Sequence, residues 1–182
     1  MKKMKKQLCW LLAALLLLSL AACGKEENAD PGHFKLGDYE VVFKSACIME
    51  DTDGNDALVL TLDYINNSKE AASFLWTVSE SATQKGTALE TATVIADYAT
   101  YETVLEQQFT DVNPGTALEV RSAFVLSDLT TPVKVRFEQL IGKKYGEITI
   151  DPAALSREEA ANVGTDVLTT GLPIPQETGD EL

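Results

Sequence analysis

The chain has 182 residues, 45% of them hydrophobic, and carries 28 acidic side chains against 15 basic ones. Its net charge of −13 excludes nucleic acid as a partner, because phosphate backbones are held by clustered Lys and Arg. The length allows one domain with a substantial core, not two.

Lys2, Lys3, Lys5 and Lys6 open the chain, and a fifteen-residue apolar run broken only by Ser19 follows from Leu8 to Ala22. A spanning helix needs about 20 apolar residues. A basic start, a short apolar stretch and then small residues is the layout of a secretory signal peptide, here residues 1–22. Leu20-Ala21-Ala22-Cys23 resembles the lipobox of bacterial lipoproteins, with Gly24 after it. Small side chains at 21 and 22 suit a peptidase cleft. The Cys23 thiol is the nucleophile that takes a diacylglycerol, and cleavage frees an amine that can be acylated in turn. Cys23 is therefore the expected lipid-attachment residue, with anchoring to the outer face of the cell membrane. Gly24 to His33 (GKEENADPGH) reads as a polar tether reaching about 35 Å when extended.

Without residues 1–22, which hold four lysines and no acids, eleven basic side chains face twenty-eight acidic ones, a net charge of −17. Cys9 is lost with the signal peptide and Cys23 is used by the lipid, leaving Cys47 alone and no intramolecular disulfide. The fold has to hold by packing.

From Phe34 to Ile150 the pattern has period two, which places one face of each strand in a core. Tyr39, Val41, Phe43, Ser45, Cys47 and Met49 form one stripe, and Leu58, Leu60, Leu62 and Tyr64 a second. Phe74, Trp76 and Val78 form a third, followed by Leu118 to Leu126 and Val133 to Phe137. Turn chemistry separates them: Asp53-Gly54-Asn55, Asn66-Asn67-Ser68, Lys85-Gly86, Asn113-Pro114-Gly115 and Thr131-Pro132. The pattern predicts an all-β, antiparallel β-sandwich over 34–150, with Trp76, Leu60, Phe124 and Val135 in its core. Beyond it, Asp151 to Leu155 suits one helical turn, and Ser156 with Glu159 reads as a capping box for a brief helix. From Gly164 the composition is that of a disordered tail.

The segments DGNDALVLTLDYINNSKEAASFLWTVS, PGTALEVRSAFVLSD and TPVKVRFEQL resemble a family of uncharacterised lipoproteins and secreted proteins of Gram-positive bacteria. The matching features are Asp53-Gly54, Ala57-Leu58, Asn66-Asn67-Ser68, Phe74 and Trp76, Pro114-Gly115, Glu119 to Leu126 and Thr131 to Val135. The resemblance implies an immunoglobulin-like domain of unknown function, related to the immunoprotective extracellular protein superfamily. It implies no activity, and a fold does not by itself define one.

Chemistry-bearing clusters are few. Glu50 to Asp56 is dense in carboxylates, but an EF-hand loop from Asp51 would need Gly at its sixth position and Glu at its twelfth, where Asp56 and Leu62 stand. A solvated hairpin turn is expected there. His33, the one histidine, falls in the tether, so neither a nucleophile–base pair nor a histidine metal site can form inside the fold. Cys47 is expected to be buried and inert. No enzyme, cofactor or metal is expected. Tyr98 and Tyr101, in the weakly patterned stretch between Ile95 and Asn113, are the candidate binding residues, since Tyr offers large contact area at low entropic cost. The competing expectation folds both rings back over a sandwich edge. The leading functional expectation is a non-enzymatic cell-surface interaction module for a protein or glycan. A small-ligand or ion-binding accessory of an envelope transporter or sensor is the alternative.

Overall fold

The structure, a computed structural model, describes residues 32–161. The signal peptide, Cys23 and the tail from Gly164 lie outside these residues. Ten strands run β1 (His33–Leu36), β2 (Tyr39–Glu50), β3 (Asp56–Asn66), β4 (Val78–Gln84), β5 (Thr87–Ala88), β6 (Ile95–Asp97), β7 (Glu102–Thr103), β8 (Thr116–Val125), β9 (Val133–Gln139) and β10 (Tyr145–Ile150). They form one sheet ordered β1-β2-β3-β8, a second ordered β10-β9-β4-β5, and the β6-β7 hairpin, with antiparallel pairing throughout. The all-β sandwich read from the sequence is therefore the observed class.

The core follows from the alternation. Leu58, Leu60, Leu62 and Tyr64 on β3 face Val78 and Ala82 on β4 and Val133, Val135 and Phe137 on β9 within one buried cluster. Leu60, Phe124 and Val135 are buried as expected. Gly146 on β10 leaves room for the Phe34 ring, which stacks on Phe137 at 5.5 Å; any side chain at 146 would collide with it.

One stripe is broken. The β2–β3 register shifts between Phe43 and Ser45, and this bulge exchanges the faces of everything beyond it. Val41 packs in the main core, as does Ile48, an even-numbered residue. Cys47 and Met49 turn to the outer face instead, in a second cluster with Ala57, Val59, Ala92, Val94, Val104 and Ala123. The segment carrying β6 and β7 covers that face, so Cys47 and Met49 are buried there while Ile48 is buried in the main core.

Three expectations are corrected. Trp76 is 72% exposed, not core, because Phe74–Thr77 forms a helical turn, α1, instead of the start of a strand. Helical spacing turns Phe74 and Thr77 inward and leaves Trp76 outside. The capping-box helix at Ser156 does not form: after a 3₁₀ turn at Pro152–Ala154 the chain is extended, with Ser156 accepting from the Ile48 N–H and Glu158 donating to the Ile48 carbonyl. His33 belongs to β1, not the tether; it pairs with Val42, and its ring meets the Glu40 carboxylate.

Candidate functional site

The two ends of β2 and β3 differ in character, and each carries exposed aromatic residues. Tyr39 pairs with Asn66 at one end and Glu50 with Asp56 at the other.

At the Glu50–Asp56 end the acidic run is a tight turn. The Asp51 carboxylate accepts from the Asp53 and Asn55 N–H groups at 2.9 and 2.7 Å and from the Asn55 side chain at 3.2 Å. These bonds, the Asn55 N–H first, hold the Asp51 carboxyl below its ordinary range. Its oxygens are thus spent on the turn. Among the described residues no group of three or more His, Cys, Asp or Glu is placed to hold a metal.

Tyr98 and Tyr101 lie in the turn between β6 and β7 and are 53% and 75% exposed. Tyr98 lines a groove of ≈ 260 Å³ with Met49, Glu50 and the chain from Arg157 to Ala160. Tyr101 has φ +57°, a left-handed conformation that costs a non-glycine residue about 1–2 kcal/mol. The hairpin is pinned from below by Val94 and Val104 in the second cluster and from the side by Ala161, whose N–H donates to Ala96. Two solvent-facing rings thus stand on a supported turn.

At the Tyr39–Asn66 end, Trp76 borders a groove of ≈ 740 Å³ lined by Asp38, Tyr39, Asn67, Lys69, Ser73 and Asp111 among others. Tyr39, which lines it, joins an aromatic row in the core: it stacks on Tyr64 at 6.0 Å, and Tyr64 meets Phe74 edge-on at 5.7 Å. The Tyr64 hydroxyl is bonded to Thr77 Oγ1 at 2.8 Å, and burial pushes its pKa up to about 12. Ser73 Oγ is the one buried side-chain polar atom among the described residues without a partner, and Ser73 does not cap α1. A polar group or water entering the groove would satisfy it. Reading Trp76 as core had hidden this groove.

The sequence reading also missed a polar trio inside the sandwich. Glu80 shares the inward stripe of β4 with Val78, Ala82 and Gln84, a spacing that could have revealed it. Its carboxylate accepts from Ser122 Oγ and from Gln108 Nε2. With both oxygens occupied, and neither groove lined by it, Glu80 serves the fold. Gln84 clamps the loop before β9, donating to the Asp128 and Thr131 carbonyls and accepting from the Ser127 and Asp128 N–H groups. Cys47 is buried, and desolvation first, then Glu158, push its pKa up to about 11, which keeps the thiol protonated and unreactive.

The molecule is thus a β-sandwich with exposed aromatic groups at both ends and a core closed to solvent. The family model described as Domain of unknown function (DUF5067) matches residues 25–139, and the chain belongs to that family. No curated protein matches it. Among solved structures it is similar to "a putative lipoprotein" from Staphylococcus aureus subsp. aureus NCTC 8325, at 12% identity and a TM-score of 0.54, over 70% of this chain and 98% of that one. An Enterococcus faecalis protein solved by NMR matches at 16% identity and a TM-score of 0.48, over 71% of this chain and 94% of that one. At such identity the first likeness is one of fold.

Proposed function

We propose that the chain is a lipoprotein held at the outer face of the cell membrane by lipid on Cys23, and that its sandwich is a non-enzymatic interaction module for a surface protein or glycan. The observation that carries the second half is the exposure of Tyr98 and Tyr101 on a turn held from two sides. Binding residues favour loops on a rigid scaffold, and backbone strain such as that at Tyr101 gathers at functional sites. The anchor rests on the basic start, the short apolar run and Leu20-Ala21-Ala22-Cys23, and the fold shared with a chain described as a lipoprotein supports it. Among the described residues no helix is long and apolar enough to cross a membrane. The tie to the immunoprotective extracellular proteins rests on the strand and turn motifs alone.

The test is one experiment with two arms. Cys23→Ser should accumulate uncleaved precursor without fatty-acid labelling; normal processing and labelling would remove the anchor. Tyr98→Ala/Tyr101→Ala should melt within about 2 °C of the parent, as surface substitutions do, yet fail to bind purified cell envelopes. A large loss of melting temperature would show the rings to be structural.

A further inference from the structure

Three large apolar side chains stand in solvent at the Tyr39–Asn66 end. Trp76 is 72% exposed, Leu140 48% and Ile141 87%. The Leu140 N–H donates to the Thr77 carbonyl at 2.9 Å, which ties the loop 140–144 to the turn carrying Trp76. Gly37 touches Gln139, so the β1–β2 turn lies beside the same loop. Lys143 and Lys144 complete the loop, and both are exposed. An indole, two branched aliphatics and two lysines make the composition of a bilayer-interface surface. Aliphatic groups enter the acyl boundary, the indole sits at headgroup level and ammonium groups meet phosphates.

Charge distinguishes this end from the other. Its carboxylates Asp38, Glu40, Glu70, Asp111 and Glu138 outnumber Lys69, Lys143 and Lys144 by two. The opposite end presents Glu50, Asp51, Asp53 and Asp56 with Arg157 as the cation beside them. On a chain of −17, this less acidic end is the one an anionic bilayer repels least.

Reach agrees. The Gly32 carbonyl is bonded to the Phe43 N–H, four residues along β2 from Tyr39 and seven from Glu50. At about 3.4 Å per residue the two ends lie roughly 14 and 24 Å away. The nine residues from Cys23 to residue 31 span about 30 Å when extended, enough for either end to meet the bilayer and with the more chain to spare at the Trp76 end.

We propose that the Trp76–Leu140–Ile141 end is a bilayer-docking surface that lies on the membrane holding the lipid and turns the Tyr98/Tyr101 end outward. The inference rests on the anchored reading only for delivery to the bilayer. Trp76 reports on it directly, because Trp10 leaves with residues 1–22 and no other tryptophan remains. The acylated mature chain is placed in vesicles of phosphatidylcholine and phosphatidylglycerol. The expected result is a blue-shifted Trp76 emission, quenched by lipids brominated in their acyl chains and shielded from acrylamide. Leu140→Asp/Ile141→Asp should lower the equilibrium constant between docked and undocked chain about tenfold, the factor given by about 1.4 kcal/mol, while Tyr98→Ala/Tyr101→Ala leaves it unchanged. Trp76 equally open to acrylamide with and without vesicles, and untouched by brominated lipid, would overturn the proposal. So would a blue shift without vesicles that grows with protein concentration, since a second copy would then cover this end. If flotation shows that Cys23 bears no acyl chain, the same spectra are taken with that thiol coupled to a maleimide lipid, so a failed anchor and a failed docking surface give different results.

Discussion

Glu80 sets the residue scale because its environment fixes the sign of a pH effect. Burial raises its pKa above the ordinary carboxyl range, and the bonds from Ser122 and Gln108 oppose this without cancelling it. The folded chain therefore holds the proton at pH values where the unfolded chain, with a carboxyl pKa near about 4.3, has released it. Stability from this group is full below the unfolded pKa and is lost as pH rises through the folded one. Asp51 and Asp128 act in the opposite sense. Backbone bonds lower the first; Lys85, then the Thr130 and Thr131 N–H groups, hold the second far below the usual carboxylate range. Their contributions are present above the unfolded pKa and fade in acid. Because both trends run together, Glu80 is isolated by subtraction. Glu80→Gln should match the parent in urea midpoint near pH 4 and exceed it near pH 8. Parallel curves for the two chains would show that Glu80 does not titrate in this range.

At the scale of elements, α1 decides what Trp76 is worth. Phe74 is buried in the main cluster and meets Tyr64 edge-on, whereas Trp76 is solvent-facing. Phe74→Ala should cost about 3–5 kcal/mol, as aromatic truncation in a packed core does, and Trp76→Ala less than about 1 kcal/mol. Chemical denaturation of the two variants checks this, and equal losses would restore Trp76 to the core. The reversal also shows what could be read from the chain. Leu58 to Tyr64 keep one parity over seven residues, so β3 was legible, and the turn residues at 53–55, 67–68, 85–86 and 113–115 fall between strands, with Asn66 closing β3. Phe74-Leu75-Trp76-Thr77 is too short for either period to prevail: Phe74 and Trp76 fit alternation, Phe74 and Thr77 fit a helical turn. The bulge at Phe43–Ser45 leaves no local mark either, since no glycine or proline accompanies it, and the faces of Cys47 and Met49 exchanged unseen. Tyr98 and Tyr101 were legible as loop residues because no packing pattern claimed them. Ser73 and the groove beside Trp76 depend on where α1 begins, which the same ambiguity concealed.

The whole molecule is governed by an excess of like charge that its ion pairs do not offset. The chain carries −13, or −17 without residues 1–22, and its pairs are exposed ones such as Lys44 with Asp63 and Glu119, Lys85 with Asp128, Arg136 with Glu147 and Arg157 with Asp56. Each exposed pair is worth about 0–1 kcal/mol. Folding concentrates the unpaired carboxylates, and their mutual repulsion acts against the compact state. Added NaCl shortens the screening length from about 30 Å at 0.01 M to about 8 Å at 0.15 M, and so weakens both the pairs and the repulsion. The repulsion is the larger, because acids outnumber bases by thirteen in the full sequence and by seventeen without residues 1–22. The melting temperature at pH 7 should therefore rise with NaCl over this range, by about 3–5 °C for each 1 kcal/mol of repulsion removed in a domain of this size. Near pH 4.4, the isoelectric point of the full sequence, the excess is largely neutralised and the rise should nearly vanish. That control separates screening from a general strengthening of apolar burial by salt, which would act at both pH values. A melting temperature that falls with NaCl at pH 7 would show that the ion pairs, not the excess carboxylates, dominate the electrostatics of the fold.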